Sequence, residues 1–302
     1  MKSVGIIGAR GHVGSELVAL LAHHPEVELR VVASRALAGQ SVPGIALQYE
    51  DVAPSALAAH RCDAWFLALP SGEASPYVEA VGGRAVVIDL SADYRFDRAW
   101  RYGLPELRRG ELRGAQQIAN PGCYATGMQL AIAPFLEELA GPPTAFGVSG
   151  YSGAGTTPSP RNDPERLRDN LMPYQLVGHL HEREVSYQLH HPVQFLPHVA
   201  GFFRGISLTI SLPLLRDISA GELHDRTAAR YQGEPLLKVQ SEAPLVADQV
   251  GRHGVSIGGF IAAGRRAVLV ATLDNLLKGA ATQALQNLNL ALGFDEWMGI
   301  TT

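Results

Sequence analysis

The sequence predicts an α/β protein in two parts, an N-terminal doubly wound domain and a second α+β domain, on three observations. The chain opens on an apolar strand, a glycine-spaced turn and an amphipathic helix. Short apolar runs ending in polar or turn residues follow it, as buried parallel strands do. Beyond about residue 185 the pattern changes to longer alternating strands, the mark of a mixed or antiparallel sheet covered on one face. At 302 residues, 46% hydrophobic and 18% charged, the chain is long enough for two substantial cores. A net charge of -4 with no Lys/Arg block gives no electrostatic case for nucleic-acid or membrane partners and leaves small metabolites as ligands. Two distant cysteines, Cys62 and Cys123, with no signal peptide and no bilayer-spanning apolar run, point to a reducing cytoplasm.

The opening VGIIGARGHVGSELVALLAHHPEVELRVVASR reads as a βαβ unit, its helix carrying Leu17, Leu20 and Leu21 on one face. Gly8, Gly11 and Gly14 let the backbone turn tightly and approach a pyrophosphate, whose charge then sits against the N–H groups of the following helix. Arg10, His12 and Val13 share that turn, so the domain is expected to be Rossmann-like and to bind a dinucleotide. The spacing is GxxGxxG, a departure from the usual GxGxxG. Where an NAD site often places an acidic residue, the chain has Ser34-Arg35; a hydroxyl and a guanidinium suit a 2′-phosphate and favour NADP (NADPH). CDAWFLALP and RAVVIDLS read as further parallel strands, with Pro70, Ser71 and the Asp89-Leu90-Ser91 turn lining the cofactor cleft. Cys62 lies away from any polar cluster and reads as core filler.

Asn120-Pro121-Gly122-Cys123-Tyr124 places the other cysteine after a Pro-Gly turn and before a segment with Met128, Ile132, Phe135, Leu136 and Leu139 at helical spacing. A helix N-terminus favours the thiolate, so Cys123 is the candidate nucleophile. AFGVSGYSGAGTTPSP reads as a strand and a flexible glycine-serine loop whose Ser149, Ser152, Gly153 and Thr156 offer donors for phosphate or carboxamide groups. In GHLHEREV, His179 and His181 stand two apart and are expected on one face of a strand, where either could serve Cys123 as base and acid. No further ligands at suitable spacing accompany them, so no metal is expected. NLLKGAATQALQNLNLALG is helical, with Leu276, Ala280, Leu285, Leu288 and Leu292 on one side. The expected domains are 1–122 plus about 275–302, and 123–274.

GARGHVG, FLALPSG, DLSADYR, NPGCY, SGYSGAG, the HLH pair, FLPHVAGFFRG and DNLLKGAATQALQN together resemble the ordered motifs of the N-acetyl-γ-glutamyl-phosphate reductase family, in its compact branch, over nearly the whole chain. That family stands with the aspartate-semialdehyde dehydrogenases. The resemblance implies thiolate attack by Cys123 on an acyl phosphate, release of phosphate to leave a thioester, and reduction by NADPH to the semialdehyde in arginine biosynthesis. It implies that His179 or His181 handles the proton, that Arg95, Ser149 and Arg204 meet substrate, that Asn275 lies by the nicotinamide with Lys278 nearby, and that the protein is a homodimer or homotetramer. The family's HRHxPE is HLHERE here, which leaves the choice of histidine open and gives Glu184 a possible orienting role. Its NPGCYPT is NPGCYAT, and His12 stands where an aromatic is common. Competing readings are a reductase of aspartyl phosphate, a reductase of a carrier-protein-bound aminoadipyl or glutamyl phosphate that Arg161, Arg166 and Arg168 could help to dock, and a non-catalytic NADP-binding sensor.

Overall fold

The computed structural model describes residues 1–300 and divides the chain into two compact units, Met1–Pro121 with the segment from Ala280 onward, and Gly122–Gly279. The first unit runs β1 (Lys2–Ile7), α1 (His12–Ala22), β2 (Val27–Ala33), β3 (Ala64–Leu67), α2 (Ser75–Val81), β4 (Val86–Asp89), β5 (Arg101–Tyr102), α3 (Pro105–Leu112) and β6 (Gln117–Ala119). Its six strands are ordered β2-β1-β3-β4-β6-β5, every pair parallel. Strands β3 and β4 are buried at every position, which explains their unbroken apolar runs. Strand order reverses between β1 and β3, so the turns leaving those two strands open a crevice at their C-terminal ends. Helix α1 covers the sheet with Gly14, Leu17, Val18 and Leu21; Leu20 is only half-buried.

The second unit runs α4 (Cys123–Ile132), β7 (Thr144–Gly150), α5 (Pro164–Leu167), β8 (Leu171–Pro173), α6 (Leu180–Leu189), β9 (Gln194–Ala200), β10 (Ile206–Pro213), α7 (Ala220–Arg230), β11 (Leu237–Val239), β12 (Val255–Ala263) and β13 (Arg266–Leu273). Its seven-stranded mixed sheet is ordered β11-β12-β13-β10-β7-β9-β8. Helix α4 packs on β10 and β13 and α7 on β12, burying Leu208, Ile210, Leu269 and Ala271. The alternate residues Phe146, Leu196, Thr209 and Val270 are half-buried or exposed on the opposite side. Two elements here differ from the sequence reading. The His179–His181 segment starts α6 instead of lying on a strand, because His179 and Glu182 together cap a helix. Helix α7 interrupts the stretch read as strands, its start fixed by Ser219 Oγ accepting from the Glu222 amide at 3.1 Å.

After a π-helical turn over Leu277–Ala281, α8 (Thr282–Leu292) joins the first unit. The one-sided apolar stripe expected here is corrected: Thr282 through Ala291 are all buried. The side-chain NH2 groups of its Gln and Asn residues are partnered, which offsets the cost of burying them. Gln283 and Asn287 donate to the Gly103 carbonyl at 2.6 and 3.0 Å, and Asn289 meets His24 at 3.0 Å. Among the described residues no helix is long and apolar enough to cross a membrane.

Asp274 ties the end of β13 to its surroundings from a fully buried position. Its carboxylate pairs with the Arg204 guanidinium and accepts from the amides of Gly251, Leu276 and Leu277 at 2.7, 2.9 and 3.2 Å. Asp274→Ala leaves the guanidinium and three amides without that acceptor and should cost about 3 kcal/mol. Differential scanning calorimetry should register this as a midpoint lower by roughly 6–12 °C; a midpoint within a degree of the parent would refute it.

Candidate active site

The glycine turn fits a pyrophosphate by its packing. Gly8 has φ +89°, and a Cβ there would strike the Ala68 carbonyl; a Cβ on Gly14 would stand 2.5 Å from the Gly8 oxygen. The fold itself therefore demands those two glycines. Gly11 is different, since a Cβ there would meet only the Gly8 oxygen at an ordinary 3.5 Å; it is the N-cap of α1 and leaves the turn open on that side. Helix α1 then starts with no side-chain cap and no acidic residue in its first turn, so nothing of its own offsets the positive end. Arg10 is exposed, and His12 and Val13 half-buried, in this turn; burial lowers the His12 pKa and favours a neutral ring. Ser34 follows β2 with its amide donating to the Glu50 carbonyl at 2.9 Å, and Arg35 comes next, exposed. Pro70 and Ser71 are exposed beyond β3, where Ser71 Oγ accepts from the Ala92 amide at 3.2 Å.

In the second unit a cavity of about 240 Å³ is lined by Cys123, Tyr124, Ser149, Gly153, Arg161, Tyr174, His179 and His181, among others. Cys123 is the first residue of α4, with Gly122 as the extended residue before it (φ -70°, ψ 151°). The Gly122 amide donates to Glu184 Oε1 at 2.9 Å, and Glu184 is fully buried on α6. That bond ties the start of the cysteine helix to α6. Gly279 closes over Cys123, since a Cβ there would lie 2.8 Å from Cys123 Cβ. The other cysteine has no such setting. Cys62 packs against the first unit's core beside a larger cavity of about 450 Å³, and burial pushes its thiol up to about 11, which keeps it protonated.

The two histidines divide by what their nitrogens do. His179 Nδ1 accepts from the His181 amide at 3.0 Å, so it is the helix cap and its remaining proton sits on Nε2. Glu182 completes the cap by accepting from the Gly178 and Phe195 amides at 3.0 and 2.9 Å. The rings of Tyr174, His181 and Phe195 lie 5.0–5.5 Å from that of His179, and burial drives its pKa down to about 4. His181 is half-buried in the first turn of α6, at the cavity wall.

The remaining residues singled out by sequence are placed as follows. Ser149 is buried at the cavity, its hydroxyl donating to the Gly150 carbonyl at 2.9 Å. The loop after it begins as a helical turn over Tyr151–Ala154, and Asn275 holds it by donating to Ser152 Oγ at 2.9 Å while accepting from the Gly205 amide at 2.7 Å. Arg204 is engaged by Asp274, so its charge is neutralised within the fold. Arg95 is buried in the first unit and donates to the Asn120 and Leu90 carbonyls at 2.9 and 3.0 Å, bracing the NPG turn. Lys278 is fully buried. Sequence reasoning missed Tyr174 as a site residue and gave Arg161 only a surface role; neither belongs to a recognisable motif. Among the described residues no group of three or more His, Cys, Asp or Glu could hold a metal ion.

Two family models match the chain: semialdehyde dehydrogenase, NAD binding domain, over residues 3–115, and semialdehyde dehydrogenase, dimerisation domain, over 123–275. The chain is 57% identical to the N-acetyl-gamma-glutamyl-phosphate reductase of Xanthomonas axonopodis pv. citri (strain 306), over 99% of this chain and 98% of the other. Among solved structures it is similar in fold to an aspartate semialdehyde dehydrogenase II from Vibrio cholerae complexed with ASA, with TM-score 0.79, 18% identity and coverage of 97% and 98%. An aspartate semialdehyde dehydrogenase with NADP from Candida albicans gives TM-score 0.73 at 16% identity over 97% and 99%.

The His179 cap makes stability depend on pH. The folded-state pKa lies below the unfolded value, so this contribution is complete above about pH 6.5 and falls away as pH drops toward about 4. Urea titrations at pH 7.5 and 5.0 should show the loss, on the order of 2 kcal/mol. In His179→Asn, which keeps a capping oxygen but cannot titrate, the difference between the two pH values should shrink; an unchanged difference would contradict the assignment.

Proposed function

The chain belongs to the semialdehyde dehydrogenase family, among its N-acetyl-γ-glutamyl-phosphate reductases, and from that premise we propose how its own residues reduce N-acetyl-γ-glutamyl phosphate to the semialdehyde in arginine biosynthesis. The observation that carries the reading is a helix-terminal cysteine and an adjacent, half-buried histidine opening on one cavity. That cavity's lining holds one cation and no carboxylate among the described residues. A substrate with a free α-ammonium group, such as aspartyl phosphate, would call for a carboxylate there; an acetylated amine is neutral and does not.

His181 takes the Cys123 thiol proton, since His179 already uses Nδ1 as a cap and is held neutral by burial. The thiolate sits at the positive end of α4 and attacks the acyl carbon; the carbon–sulfur bond forms, the bond to phosphate breaks, and the imidazolium of His181 returns its proton to the departing phosphate. The oxyanion of this step is met by the amides at the start of α4. The Gly8–Gly14 turn would hold the pyrophosphate of NADPH and Ser34 and Arg35 its 2′-phosphate, and the dinucleotide held there would supply the hydride. Collapse of the reduced adduct then releases the aldehyde and restores the Cys123 thiolate, which regains its proton from water. Asn275 keeps the Ser152–Gly153 turn at the cavity. The side of the mixed sheet bearing Phe146, Leu196 and Val270 is the proposed contact of a homodimer, consistent with the dimerisation-domain match.

Run in reverse, NADP⁺ reduction by N-acetyl-glutamate semialdehyde should require phosphate, and Cys123→Ser should lower kcat by at least about 10³-fold with NADPH affinity kept within about threefold. Arg35→Ala should weaken NADPH roughly tenfold and leave NADH unaffected. Turnover at parental rate in the serine variant would remove the nucleophile assignment, and equal loss of both dinucleotides would remove the 2′-phosphate assignment.

A further inference from the structure

Resting on the function proposed above, we infer that Arg161 is the specificity residue that takes the α-carboxylate of the substrate at the cavity lined by Cys123. It is the one lysine or arginine among the described lining residues of that cavity. Other arginines of this unit are neutralised by the fold: Arg204 pairs with Asp274, Arg168 with Glu165, and Arg216 with Glu138 and Glu222. No carboxylate among the described residues pairs with Arg161.

What holds Arg161 is an aromatic face, its guanidinium lying 5.1 Å from the centre of the Tyr174 ring. A ring face attracts the exposed Arg161 guanidinium without cancelling its charge, which leaves its donor fork available to a carboxylate. The loop that presents it is closed by Asn162, whose amide donates to the Gly155 and Thr157 carbonyls at 2.9 and 2.8 Å and whose oxygen accepts from the Ser159 amide at 2.7 Å. Tyr174 connects the two ends of the chemistry, since its hydroxyl lies within electrostatic reach of both Cys123 and Arg161, and burial raises it to about 12 so that it stays a neutral donor. The reacting carbon must reach Cys123, and in an N-acetylglutamyl chain only three carbons separate it from the α-carboxylate, which lies roughly 4–5 Å away. The charge must therefore be met within this same cavity.

The test compares N-acetyl-glutamate semialdehyde with its α-carboxamide analogue in the phosphate-dependent reverse reaction, for the parent, Arg161→Met and Arg161→Lys, and follows alkylation of Cys123 by iodoacetamide as a check on the fold. The parent should prefer the acid by roughly 30-fold or more in kcat/KM. Arg161→Met should reduce that preference to below about threefold through a raised KM for the acid, with alkylation at the parental rate, and Arg161→Lys should restore part of it. A preference kept by Arg161→Met, or an equal loss on acid and amide, overturns the assignment. A parent that turns over neither compound overturns the proposed function instead, and with it the premise of this inference.

Discussion

The hydrogen bond from the Gly122 amide to the buried Glu184 carboxylate is the constraint on which the site depends. A buried carboxyl group is costly unless its lone pairs are used, and here one of them receives the amide immediately before Cys123. Because Glu184 lies on α6 and Gly122 precedes α4, the bond fixes the start of one helix against the other. Two helix N-termini are thereby brought to one cavity, one carrying Cys123 and the other His179 and His181. The α4 end has no acidic residue in its first turn and keeps its positive character at Cys123, whereas Glu182 offsets that of α6. Gly279 completes the enclosure by leaving room that a side chain would take from Cys123.

Identical residue types are separated here by their partners. Cys62 and Cys123 differ in setting, one a protonated thiol against a core and the other the first residue of a helix at a cavity. His179 and His181 differ by a single nitrogen, because an imidazole that caps a helix must keep that nitrogen unprotonated. Arginines divide in the same way. Arg204 and Arg95 are drawn into the fold by a carboxylate and by backbone carbonyls, whereas Arg161 lies over an aromatic ring.

Much of this was legible in the sequence where local and global requirements coincide. The glycine turn, the buried strands β3 and β4 and the helix starting at Cys123 all follow from short-range pattern, and the structure has them there. The His179–His181 segment was misread because spacing by two suits a strand, while the deciding signal was Glu182 three residues after a capping residue. Helix α7 carried the same kind of signal in Ser219 and Glu222, overlooked amid strand-like neighbours. Helix α8 could not be read as buried on all sides, since Gln283, Asn287 and Asn289 look like a solvent face until their distant partners are known. The fates of Arg95 and Arg204 were equally hidden, being set by partners that only the fold brings near.

The central claim is that Cys123 carries the acyl group between loss of phosphate and reduction. Its most direct test is to mix the protein with N-acetyl-γ-glutamyl phosphate in the absence of any nicotinamide dinucleotide, quench in acid, and examine the digested protein by mass spectrometry. The account predicts an N-acetylglutamyl adduct confined to the peptide containing Cys123, labile to hydroxylamine, and formed with stoichiometric release of phosphate. Release of phosphate with Cys123 left unmodified, or an adduct on another residue, would contradict it.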